Sequence, residues 1–115
     1  LMHRGYRLYL EDISTAIEKI QRFVGTLSFG EFLRDEKAYD AVVRNFEIIG
    51  EAARNIPQEV KDRHPSVKWK KVYLFRNVLA HEYFGIDSQL LWDIIQNRLP
   101  ELKKDIQAIL KKEQG

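Results

Sequence analysis

Three observations predict that this sequence folds as an all-helical, antiparallel up-and-down bundle with four to five main helices. Apolar residues recur at steps of three and four along most of the 115-residue chain. No stretch shows the period-two alternation of a half-buried strand. The links between periodic stretches are short, which sets successive helices side by side in opposite directions. One domain over residues 1–115 is expected: the length suits one core, and no repeat or low-complexity linker divides it.

The first helix is expected from about Arg4 to Leu27. Leu10, Ile13, Ala16, Ile17, Ile20, Val24 and Leu27 form its stripe, with Glu11, Glu18, Lys19 and Arg22 off it. Gly25 and Ser28 interrupt that pattern, and Phe29, Phe32 and Leu33 predict a short helical turn packed on the core. Asp35 can cap the next helix, whose stripe is Ala38, Val42, Phe46, Ile49, Ala53 and Ile56, with Pro57 ending it. Gly50, Ala52 and Ala53 lie inside it. A mid-helix glycine costs about 1 kcal/mol relative to alanine, so a close helix approach is its expected reason.

Residues 57–65 read as a polar connection with one short turn at Glu59-Val60-Lys61. Ser66 is the expected cap of a helix that runs on to Gly85. Asp87 or Ser88 can cap a further helix carrying Leu90, Leu91, Ile94, Ile95 and Leu99. Pro100 suits the first turn of a last helix with Leu102, Ile106, Ile109 and Leu110 inward and Lys111-Lys112 at its end.

The hydrophobic fraction of 44% and the charged fraction of 31% are those of a water-soluble globular protein. No run approaches the ~20 apolar residues of a membrane span, and the first residues lack a signal-peptide core. Cysteine is absent, which excludes disulfides and thiolate metal sites and makes a cytoplasmic location the expectation. The three histidines, His3, His64 and His81, show no ligand spacing, so no metal and no cofactor is expected. His64 reads as a surface residue in a polar loop, and His3 as part of a frayed end. The net charge of +2 does not announce a polyanion partner. Its distribution says more: Lys61, Arg63, Lys68, Lys70, Lys71 and Arg76 stand against Asp62 alone, a local excess of five. Such a run is either a solvated face or a patch that attracts phosphates.

The stretch from Trp69 to Phe84 holds the chemistry. Asn77 and His81 fall within about 40° of each other on a helix, and Arg76 and Tyr83 within about 20°. Val72, Phe75 and Leu79 form an apolar stripe beside them. A cation, an amide, an imidazole and a phenol thus gather at the rim of a hydrophobic face. They are either satisfied structural polar groups or a site. Glu47 and Glu51, one turn apart on the preceding long helix, could orient Arg76 or His81, or form an ordinary solvated face.

Arg76, four residues, His81, one residue, Tyr83 resembles the Arg…His-x-Tyr signature of the HEPN superfamily, and specifically of its HepT-like branch. The surrounding residues 76–87 are similar to that branch, as are residues 41–53, 8–13 and 99–102. The resemblance thus covers nearly the whole chain in order. It implies a toxin endoribonuclease, working as a homodimer that joins two copies of the motif into one metal-independent site. Arg76 and His81 are then catalytic, and Asn77 positions phosphate or His81. It also implies a partner, a minimal nucleotidyltransferase antitoxin that uses ATP to transfer AMP to Tyr83.

The chemistry of these groups agrees. A guanidinium grips phosphate oxygens in two-pronged fashion and stabilises charge building on them. An imidazole moves a proton near neutrality. RNA carries its own nucleophile in the 2′-OH, so neither a serine elbow nor a metal-bound water is needed. The alternative is a non-catalytic HEPN module that binds a nucleotide or a protein. The chain departs from the branch at Tyr73 and Leu74, where small residues are usual just before the signature arginine. That departure bears on substrate range.

Overall fold

In the computed structural model, residues 4–79 and 87–113 are described. Among them every element is helical: α1 (Arg4–Val24), α2 (Phe29–Arg34), α3 (Glu36–Asn55), α4 (Gln58–Arg63), α5 (Trp69–Leu79), α6 (Ser88–Asp93), a π-helical turn (Ile94–Arg98) and α7 (Leu99–Lys112). None is long and apolar enough to cross a membrane.

The expected stripes are the core. Leu10, Ile13, Ala16, Ile17, Ile20 and Val24 of α1 are buried, as are Ala38, Val42, Phe46, Ile49 and Ala53 of α3, and Ile56 just after it. Gly50, Ala52 and Ala53 are buried where α3 lies between α1 and α5. Phe46 of α3 and Phe75 of α5 join the two helices, ring centroids 5.7 Å apart. On the other flank α1 packs against α7. The direction of that pair follows from its polar contacts. Tyr6 near the start of α1 meets Glu113 just past the end of α7, and Glu18 further along α1 meets Lys103 near the start of α7. The two helices therefore run antiparallel.

Local chemistry sets the boundaries. Gly25 takes φ +51° and closes α1. Ser28 and Glu31 form a reciprocal capping box for α2, Glu31 N donating to Ser28 Oγ and Ser28 N to Glu31 Oε1. That bonding holds the Glu31 carboxyl below its ordinary pKa. Asp35 caps α3 through Ala38 N, and Asp87 caps α6 through Leu90 N, each at 3.0 Å. The pairing of Phe32 with Tyr39 and Trp92 closes one end of the bundle.

Four expectations are corrected. Ser66 caps nothing: α5 starts later, with Lys68 O accepting from Lys71 N and Val72 N. Pro100 lies in the first turn of α7, as expected, but α7 is no separate helix. It continues α6 through the π-turn, in which Leu99 N donates to Ile94 O. The wider turn falls directly before the residue that has no N–H to donate. Leu90 is 45% exposed rather than in the stripe, because the inward direction of α6 is taken by Leu91. His64 is the fourth: it is buried.

Candidate active site

The site helix α5 is held at its start by a polar cluster that ties three elements together. Glu113 accepts from Arg63 Nη2 at 2.6 Å, Arg63 Nε at 3.2 Å and Tyr6 OH at 2.7 Å. His64 Nε2 lies 2.8 Å from Glu113 Oε2. The guanidinium above all, then the phenol and the imidazole, lower the Glu113 pKa to about 2. The carboxylate is therefore ionised at neutrality, and His64 Nε2 carries the hydrogen. The hydrogen bond to Glu113 raises the Tyr6 phenol, because ionising it would forfeit that bond and set a second negative charge beside the carboxylate. The backbone carbonyl of His64 accepts from Trp69 Nε1 at 3.1 Å, and Trp69 is the first residue of α5. Through these bonds the end of α7 fixes the start of the helix that carries Arg76.

From there α5 runs inward-packed by Val72 and Phe75. It places the backbone of residues 76 and 77 in its later turns. The side chains of Arg76 and Asn77 are outside the described set, and His81 and Tyr83 lie outside the described residues altogether. Of the expected supporting carboxylates, Glu47 is exposed and pairs with Arg44 on its own helix at 3.7 Å. Glu51 is exposed, and its backbone carbonyl accepts from Asn55 Nδ2.

The basic run is only partly available to a ligand. Arg63 is bound to Glu113, and Lys61 is half-buried, which lowers its pKa. Lys68, Lys70 and Lys71 are exposed around the first turn of α5, which has no acidic residue. Beside them a groove of about 300 Å³ separates α5 from α6 and α7. Val72, Phe75 and Leu102 supply buried apolar wall; Lys68 and Lys71 line the α5 side, and Asp93, Arg98, Glu101 and Asp105 line the other. With charges of both signs in equal number, the groove exerts little net pull on a polyanion.

Sequence reasoning missed the Glu113 cluster. Its members are 49 and 50 positions apart for the His64 and Arg63 bonds, and 107 for Tyr6. Nothing local marks a histidine beside a proline as buried. Among the described residues no three His, Asp or Glu side chains are grouped as a metal ion would require.

Comparison with known proteins places the chain. The family described as ribonuclease HepT-like matches residues 13–109. A protein of Thermococcus cleftensis described as a probable ribonuclease HepT is 42% identical over 110 residues, covering 96% of this chain and 100% of that protein. A Methanocaldococcus jannaschii protein described as a candidate RNase is 39% identical over 97% of this chain and 93% of its own length. One from Caldanaerobacter subterraneus subsp. tengcongensis, described in the same way, is 41% identical over 93% and 96%. No solved structure matches significantly. This chain belongs to the HepT-like ribonuclease family.

Proposed function

We propose that this protein is a metal-independent endoribonuclease toxin of a toxin–antitoxin pair. Family membership across nearly its full length carries the reading, together with Arg76, His81 and Tyr83 at the family spacing. The 2′-OH of the RNA attacks the adjacent phosphorus. The bond to the 5′-oxygen breaks, leaving a 2′,3′-cyclic phosphate and a 5′-hydroxyl. Arg76 stabilises the charge on the equatorial oxygens. One His81 accepts the 2′-OH proton and a second, from the other protomer of a homodimer, donates to the departing oxygen. Asn77 positions the phosphate or His81.

Control falls on Tyr83. Its hydroxyl attacks the α-phosphorus of ATP on a nucleotidyltransferase antitoxin, and pyrophosphate leaves. The added nucleotide puts bulk and negative charge beside Arg76 and His81 and occupies the cleft.

The test is cleavage of an unstructured RNA in the presence of EDTA. Products with 2′,3′-cyclic ends are expected; plain 3′-hydroxyl ends, or loss of activity on chelation, would overturn the mechanism. Incubation with the cognate nucleotidyltransferase and ATP should add the mass of one AMP to the peptide containing Tyr83.

A further inference from the structure

The outward face of α5 carries a feature that the proposed chemistry does not use. Tyr73 is 41% exposed, although it sits mid-helix between the buried Val72 and Phe75. At about 100° per residue, it lies about 130° round the helix from the mean direction of those two core residues. Lys70, also exposed, lies one turn before it. The backbone of positions 76 and 77 lies one turn after it, within about 60° of its bearing. Lys70, Tyr73 and the Arg76–Asn77 pair therefore follow one another along one side of the helix. From Lys70 to Arg76 the rise is about 9 Å, a span on the scale of a single nucleotide.

The chemistry of that strip is the one single-stranded RNA requires. An exposed ring offers a flat face to any unpaired base, and flanking cations hold the phosphates on either side. Lys70 is the exposed cation on this strip, and no acidic residue stands in the first turn of α5, whereas Lys68 and Lys71 lie on the groove side of the helix. The groove on the opposite flank, with its balanced charges, offers no such preference.

We propose that Tyr73 is a substrate-positioning residue: it stacks on an unpaired base next to the scissile phosphate, with Lys70 on the neighbouring phosphate. This rests on the ribonuclease reading above. Tyr73 touches the base and not the reacting atoms, so it sets affinity and the demand for an unpaired nucleotide, while Arg76 and His81 set the rate of the chemical step.

The test uses the full chain and two oligonucleotides of one cleavable sequence, one intact and one abasic beside the cut. Tyr73→Ala is expected to raise KM about 10-fold on the intact RNA with kcat little changed, in keeping with the usual worth of a stacked base. Tyr73→Phe and Tyr73→Trp should restore it, because the ring and not the hydroxyl does the stacking. The abasic RNA should bind the wild type and Tyr73→Ala equally. A KM unchanged by Tyr73→Ala, an effect that persists in full on the abasic RNA, or a change of oligomeric state in the variant by sedimentation would overturn the proposal. Binding of a 2′-O-methyl version of the same RNA separates the two ideas. A wild type that binds it yet cuts no unmodified RNA defeats the nuclease mechanism, and Tyr73 is still judged by the loss of binding in Tyr73→Ala.

Discussion

Helices α1 and α5 both pack against α3 and are built on different terms. Along α1 the inward stripe is continuous from Leu10 to Val24, and each member is at most 3% exposed. Along α5 the described core contacts are Val72 at 4% and Phe75 at 8%, with an exposed tyrosine between them. The first helix is held by its whole length. Among the described residues the second is held by Val72 and Phe75, with Trp69 packed beside them, and by a tether at its start, where Trp69 donates to the backbone of the residue clasped by Glu113. That tether lies at the end of the helix away from Arg76. The difference teaches where this chain places its chemistry.

Substitutions on the two helices should separate cleanly, and this is the largest effect expected. Arg76→Ala and His81→Ala should lower RNA cleavage on the order of 10³-fold, since each removes charge stabilisation or proton transfer. Helical content by circular dichroism should stay at the wild-type level. In α1, Ile17→Ala should cost roughly 2–5 kcal/mol in urea unfolding, because a side chain with 0% exposure leaves a cavity. If the Arg76 and His81 variants unfold, or cut as well as the wild type, the division between a structural helix and a chemical motif is wrong.

The tether sharpens the comparison. Glu113→Gln removes the charge on which Arg63, Tyr6 and His64 converge, and a loss of about 2 kcal/mol is expected. Its pH dependence has a definite direction. The folded Glu113 carboxyl sits at about 2 against an ordinary 4.5, so the unfolded chain takes up this proton first as the pH falls. The stabilisation is full above about pH 4.5 and drains away between there and about pH 2. Chemical denaturation across that window should show wild-type stability falling more steeply than that of Glu113→Gln; parallel curves would mean that the clasp contributes nothing.

The smallest effect lies at the caps. Asp35→Ala removes the oxygen that accepts from Ala38 N at the start of α3. It should cost about 1 kcal/mol in the same unfolding experiment while leaving RNA cleavage unchanged. A drop in activity larger than the stability change would show that α3 positions the site as well as supporting it.

Much of this architecture is legible in the residues because its causes are local. The stripes of α1 and α3 follow from helical spacing, and the caps at Asp35 and Asp87 follow from a short acceptor placed before an apolar run. The start of α5 and the run from α6 into α7 are different. Ser66 has the right chemistry for a cap, yet the helix begins after the turn that buries Val67. Pro100 has the right chemistry for a helix start, yet the π-turn before it carries the chain through. In both places the local signal is sound and packing overrides it.

The sequence by itself determined the helices, the faces they bury and the family signature from Arg76 to Tyr83, because each depends on residues a few positions apart. Only the tertiary structure decided that His64 is buried against Glu113 and that Arg63 is withdrawn from the basic run. Those outcomes depend on which surfaces the bundle brings together across 49 or more positions. No periodicity encodes the meeting of two chain ends; the core's demand for burial does.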